Sequence, residues 1–307
     1  LEKGKASEFY SFFDIIENHP LFGLTSKVML PFFGKPIQQV INDGELKLSF
    51  EDGRFYIQYF DSQYPVSAGA YAYIFGVSKQ TNIPDSTSAF LDLSSVLDNW
   101  ENAVIKLNNE FNSNNDVKEL ILNCTAKINS DKNELKQLVN HLSYSPVYWK
   151  ETEELINYRR FFTINGLICL NIHKANVYES YHKKIFSFIK HKLIQGLRID
   201  HIDGLFDPEK YIKRLRRSIG KEPYLCIEKI LEADEILPSN WPVEGSTGYD
   251  FLAAVNKLLA NNNTDNLLYE YYQTWSFNKA TYHKLSLEKK EFILKYRMLG
   301  EFNNLTH

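Results

Sequence analysis

Between Val177 and Glu228 the chain alternates helix, strand, helix, strand, and this alternation confines that part to a parallel sheet or a (β/α) barrel. Tyr178, Tyr181, Ile185, Phe188, Ile189 and Leu193 recur at helical spacing, which predicts a helix over Val177–Gln195 with Gly196 as its terminating glycine. Leu197-Arg198-Ile199-Asp200 follows as a short buried strand. Asp207 then reads as an N-cap and Pro208 as the first residue of a helix that runs to Ile219-Gly220. Tyr224-Leu225-Cys226-Ile227 is the second strand, ending on Glu228.

The flanking segments carry weaker patterns. Lys27-Val28-Met29-Leu30-Pro31 is strand-like and is expected to stop at its proline. Glu45–Phe50 alternates, Glu51-Asp52-Gly53 turns, and Arg54–Tyr59 resumes, so a hairpin is expected. From Ser86 to about Leu142 two or three polar surface helices fit. After Asp250 the pattern is helical through Phe251–Ala260, Asn266–Trp275 and Leu287–Glu301.

Composition excludes several function classes. With 35 basic and 38 acidic residues and a net charge of −3, nothing favours nucleic acid or an anionic membrane as a partner. The basic run Lys213–Arg217 reads as a solvated helix face. No signal peptide and no apolar run of about 18 residues is found, so no membrane span is expected. Cys124, Cys169 and Cys226 show no C-x-x-C spacing, which argues against a disulfide framework or a zinc site and suits a reducing cytoplasm. An aromatic share of 14% suits sugar stacking and a bulky core alike.

Strand alternation places Arg198 and Asp200 on one side of the first strand and Leu197 and Ile199 on the other. Tyr224, Cys226 and Glu228 likewise share a side. Two carboxylates at the carboxyl ends of neighbouring parallel strands stand where barrel enzymes place catalysts, and their separation of 28 residues is one strand–helix–strand repeat. Arg198 is expected to hold Asp200 ionised and nucleophilic, while Glu228, with no such neighbour on its own strand, is expected to carry the proton. An ordinary strand-end ion pair fits the spacing as well.

Gly196-Leu197-Arg198-Ile199-Asp200-His201 resembles the G-x-R-x-D segment of the α-amylase superfamily (glycoside hydrolase family 13), whose Asp is the nucleophile. Cys226-Ile227-Glu228-Lys229-Ile230-Leu231 resembles the fifth-strand segment whose Glu is the acid/base. Within the superfamily, Asp200–Pro208, Glu228–Leu231, Leu237-Pro238 and Trp241–Phe251 resemble the maltooligosyltrehalose synthases. So do Phe12–Ile15, Tyr148-Trp149-Lys150, Ile156–Phe162 and Gly300–Leu305.

The resemblance implies an α/β fold that is part of a (β/α)8 TIM barrel with large, mainly helical insertions. Residues 1–15 would end the third-strand region, 16–157 would form an inserted subdomain, 158–250 the barrel core with strands four and five, and 251–307 a helical insertion. It implies a mutase that acts on maltooligosaccharides or linear α-1,4-glucan without metal or organic cofactor, with a trehalose-releasing hydrolase as pathway partner. Asp200 and Glu228 would be catalytic, and Arg198, His201, Asp203, Lys229, Trp241 and Tyr249 would bind substrate. For His201 and Asp203 a structural loop is the alternative; for Trp241 and Tyr249 it is loop packing. Arg159 and Arg160 could face the site or a helix, and His173, His182 and His191 read as surface or core histidines. No strand is read at Asn18-His19 to make it the superfamily's Asp-x-x-x-Asn-His segment, and no His-Asp pair follows Glu228. A central piece of a longer enzyme is therefore expected. Another α-1,4-glucan hydrolase or transferase, or a non-catalytic glucan-binding segment, are the competing readings.

Overall fold

The computed structural model describes residues 1–17, 27–77, 84–232, 235–261, 264–276 and 280–306, so the Asn18-His19 pair lies outside the described residues. The chain divides into two units, Leu1–Cys169 with Glu291–His307, and Leu170–Lys290. The first unit opens with β1 (Val28–Phe33), α1 (Ile37–Asn42), β2 (Leu46–Glu51), β3 (Arg54–Tyr59) and β4 (Ser62–Pro65). Among the described residues six α-helices follow, α2 (Ala68–Val77), α3 (Asp85–Ser88), α4 (Leu93–Asp98), α5 (Trp100–Ser113), α6 (Asn115–Ser130) and α7 (Lys132–Asn140), and then β5 (Tyr144–Tyr148). The second unit holds α8 (Ala175–Lys190), β6 (Gly196–Ile199), α9 (Pro208–Ile219), β7 (Tyr224–Ile227), β8 (Gly245–Ser246), α10 (Tyr249–Leu259) and α11 (Asp265–Trp275). Two more helices, α12 (Tyr282–Tyr296) and α13 (Leu299–Thr306), complete the chain.

The expected hairpin is present. β2 and β3 pair antiparallel with Glu51 opposite Arg54, so Asp52-Gly53 is a two-residue loop, and both residues take positive φ. Its inward positions, Leu46, Leu48, Phe55 and Ile57, are buried, and β4 adds a third strand that the sequence pattern does not announce. β1 differs from expectation: it runs through Pro31 and pairs parallel with β5. The ladder shifts register between Leu30 and Phe33, and that irregularity accommodates a residue with no N–H to give.

The segment read as surface helices is instead much of this unit's core. Trp100, Val104 and Leu107 of α5, five residues of α6 from Val117 to Ile128, and Leu135 and Leu138 of α7 pack against the hairpin and α2. Their outer faces are polar, which is why the composition reads as surface. Tyr71 packs against Trp100 and Phe90 at ring separations of 5.1 and 5.0 Å, and its hydroxyl accepts the Phe55 N–H.

In the second unit β6, β7 and β8 form a parallel sheet with Arg198 in register with Cys226. Among the described residues the sheets have two, three and three strands, and none closes into a barrel. Leu225, Ile227, Ile212 and Leu215 are buried together, with Leu197 and Ile199 packed against them. α9 has the expected boundaries, with the Asp207 carboxylate accepting the Lys210 N–H and Pro208 at the first position. α8 stops at Lys190, short of the expected Gln195. Lys192 takes φ 58, its N–H bonds to the Ile189 carbonyl, and Leu193 N–H bonds to that of Phe188. That is a two-bond helix terminus built on lysine where glycine is usual. Gly196 is instead the first residue of β6, and a Cβ there would lie 2.8 Å from the Tyr224 carbonyl oxygen. No helix of the described residues is long and apolar enough to cross a membrane.

Candidate active site

β6 and β7 deliver their last side chains to the same end of the sheet. Apolar Leu197, Ile199, Leu225 and Ile227 take the core side, so Arg198 and the residues just past the strands, Asp200 and Glu228, are turned the other way. The Glu228 N–H bonds to the Ile199 carbonyl at 2.7 Å, which continues the parallel ladder one step and sets Glu228 beside the end of β6.

One guanidinium joins the two carboxylates. Arg198 Nη1 donates to Asp200 Oδ1 at 2.5 Å, and Nη2 lies 3.2 Å from Glu228 Oε1. Glu228 therefore has a cationic neighbour, supplied by the adjacent strand and not by its own. An arginine fork on the adjacent strand spans to it, whereas same-strand alternation considers only one strand at a time. Asp200 is two-thirds exposed and Glu228 only 20% exposed at the side chain. The Arg198 hydrogen bond holds the Asp200 carboxyl below the usual carboxylate range. Glu228 has two further donors: the Tyr249 hydroxyl on Oε1 at 3.0 Å and the His201 backbone N–H on Oε2 at 2.7 Å.

Of the other expected residues, Lys229 lies beyond the end of β7 and pairs with Asp203 at 3.3 Å and with Glu235 at 2.9 Å. Tyr249 opens α10 directly over Glu228, raised in pKa by its bond to that carboxylate. Trp241 packs against the core formed by α9 and β7, so loop packing describes its surroundings. In the other unit, Arg159 pairs with Asp14 at 3.0 Å. Arg160 is buried and donates to Glu301 at 2.7 Å and to the Thr152 hydroxyl at 3.2 Å. His182 is a core histidine, held by the Tyr178 carbonyl and the Tyr211 hydroxyl, and desolvation lowers its pKa. His191 caps the end of α8 on the Ser187 carbonyl, and His173 lies against the Phe206 ring.

Sequence reasoning missed a clamp that supports this end of the sheet. Arg216, read as part of a solvated face, donates to both Glu244 oxygens at 2.9 and 2.6 Å, and to the Pro242 and Pro223 carbonyls. Glu244 Oε2 in turn accepts the Leu225 N–H at 2.6 Å. Its only sequence signal is spacing: Arg216 lies in the last turn of α9, one loop before β7, where an arginine can reach carbonyls. The same run holds Arg214, stacked 3.8 Å above the Tyr178 ring.

No family model matches the chain. A "Putative maltooligosyl trehalose synthase" of Mycobacterium tuberculosis is 38% identical over 118 residues, which are 38% of this chain and 15% of that protein. A solved glycosyltrehalose synthase superposes over 100% of this chain and 34% of its own, with 26% identity and a TM-score of 0.72. The maltooligosyltrehalose synthase of Arthrobacter ramosus, 21% identical, shares the fold with a TM-score of 0.70 over 99% of this chain and 31% of its own. The chain therefore resembles maltooligosyltrehalose synthases in sequence and in fold, and it spans about a third of the length of the solved structures.

Proposed function

We propose that this chain supplies the nucleophile and the acid/base of a retaining transfer on a linear α-1,4-glucan. In the whole protein this would convert the reducing-end α-1,4 linkage of a maltooligosaccharide into an α,α-1,1 linkage. The observation that carries the reading is the single guanidinium of Arg198 shared between Asp200 and Glu228 at the ends of neighbouring parallel strands. An ionised carboxylate within one side chain's reach of a second, less exposed one suits double displacement. The names of the similar proteins supply the substrate class.

In this reading Asp200 attacks the anomeric carbon of the penultimate glucose. The bond to the 4-oxygen breaks, and Glu228 gives that oxygen its proton. The freed glucose stays bound and turns, and its 1-hydroxyl attacks the same carbon. Glu228 takes the hydroxyl proton as the bond to Asp200 breaks. Two inversions return the α configuration, and no water, metal or organic cofactor enters the balance. Water must be kept out while the ester exists, or the same intermediate hydrolyses.

Asp203, Lys229 and Tyr249 are the residues we place at sugar hydroxyls, with Lys229 orienting Asp203. Residues 158–250 would belong to a barrel whose other strands lie outside this segment, with 16–157 and 251–307 as insertions and 1–15 as the end of the preceding strand region. The free thiols of Cys124, Cys169 and Cys226 suit a reducing cytoplasm, and a trehalose-releasing hydrolase would consume the product.

The test is maltopentaose with the full protein that carries this segment. Reducing ends should vanish without release of glucose, and Glu228→Gln should abolish the change. Free glucose as the main product would make it a hydrolase. Binding without turnover in the unaltered protein would make the segment a glucan-binding module.

A further inference from the structure

His201 follows the nucleophile and takes φ 50, ψ 51, a left-handed conformation that costs a residue with a Cβ about 1–2 kcal/mol. Its surroundings hold it there. On one side β6 is fixed by its ladder to β7. On the other, Gly204 N–H bonds to the His201 carbonyl at 3.1 Å, Leu205 N–H bonds to that of Ile202 at 3.2 Å, and the Ile202 side chain is fully buried. The imidazole lies where a side chain on residue 204 would be: a Cβ on Gly204 would come within 2.4 Å of His201 Cδ2. With both flanks anchored, the peptide group between Asp200 and His201 can aim its N–H at Glu228 only while His201 remains left-handed. The contact that results is short, 2.7 Å from that N–H to Glu228 Oε2.

We propose that the left-handed turn at His201 is a positioning device that orients the Glu228 carboxyl and selects which of its oxygens carries the transferred proton. This rests on the reading of Glu228 as the acid/base. A backbone N–H donates and cannot accept, so a proton on Oε2 would leave that N–H with the poorer acceptor, a carboxyl hydroxyl oxygen. Oε1 faces Arg198, which also only donates but is more distant and shared with Asp200, and the Tyr249 hydroxyl, which can reverse its role and accept. The proton therefore belongs on Oε1, and Tyr249 accepts from it until a sugar oxygen takes its place. His201 acts on Glu228 through its backbone, and its side chain enters that effect through the conformation it permits.

That last point makes the proposal separable from a sugar contact by the imidazole. In the full protein, His201→Gly and His201→Asn keep a residue that tolerates positive φ, whereas His201→Val does not. The expected result is kcat within about threefold of the unaltered protein for Gly and Asn, and lower by about tenfold or more for Val, with KM moving less than about threefold throughout. Equal losses in all three with a raised KM would assign the role to the imidazole and overturn the proposal; equal retention would overturn it as well. Crystal structures of the Gly and Val variants give a readout free of activity. The N–H contact to Glu228 should persist in Gly and be lost in Val, and its survival in Val sinks the idea. An unaltered protein without turnover would defeat the proposed function, while these structures would still decide the positioning.

Discussion

Arg198 is the residue on which most of the site chemistry turns. Its bond to Asp200 depresses that carboxyl, so the group keeps its charge to lower pH than an isolated aspartate and takes up a proton only when the pH falls through its depressed value. Removing the cation reverses this. Arg198→Gln should move the acid limb of the kcat/KM profile to higher pH, with the activity remaining at neutral pH sufficient to measure it. A limb that stays in place would mean that the titrating carboxyl is not Asp200. Trp241 separates packing from binding. Its ring lies against the core of α9 and β7, so Trp241→Ala should destabilise the protein by about 2 kcal/mol in denaturant titration, part of the cost of a fully buried tryptophan, while KM for maltopentaose changes little. A large rise in KM at unchanged stability would return Trp241 to the sugar.

Helix and strand boundaries show where a linear pattern stops being informative. Periodicity locates α8 but not its end, because Ile189 and Leu193 continue the apolar spacing past the point where Lys192 turns left-handed. A glycine six residues beyond the helix suggested the stop, yet Gly196 is required by something no local rule sees, the closeness of β7. Two substitutions test this pair. Lys192→Gly should stabilise the protein by about 1 kcal/mol, since the left-handed position is then free of strain, measured as a raised denaturant midpoint at constant slope. Gly196→Ala should force β6 away from the Tyr224 carbonyl, and the loss should appear in kcat more than in folding because Asp200 rides on that strand. Unimpaired turnover in Gly196→Ala would show that the ladder yields at its first residue without moving its last. The two strands, the N-cap at Asp207 and the strand-end positions of both carboxylates were legible because each depends on neighbours in sequence. The Arg198 fork to Glu228, the Arg216 clamp and the run of β1 through Pro31 were not, because each is decided by a partner on another element.

The two units bury their apolar residues to very different degrees, and this sets an expectation for the chain as a whole. In the first, the aromatic content that left sugar binding and core packing open is largely core: Trp100, Tyr71, Phe55, Phe75 and Phe90 are all buried. In the second, α10 and α11 have no buried residue at all, although Phe251, Leu258, Leu259 and Trp275 lie on them, Leu258 at 84% exposure and Trp275 at 72%. Helices of 11 residues are marginal in water without tertiary contacts, so nothing within these elements accounts for their persistence. Amide exchange on the 307-residue chain should therefore separate the units. The amides of β2, β3, α5 and α6 should exchange only on opening of the core, and those of α10 and α11 should exchange close to the unstructured rate. In the full protein the same amides should become protected if, as the exposed leucines and aromatics imply, another part of it covers that face. Strong protection of α10 and α11 in the 307-residue chain alone would mean that these helices find a partner within it, and the large apolar exposure would then be no sign of a surface meant to be covered.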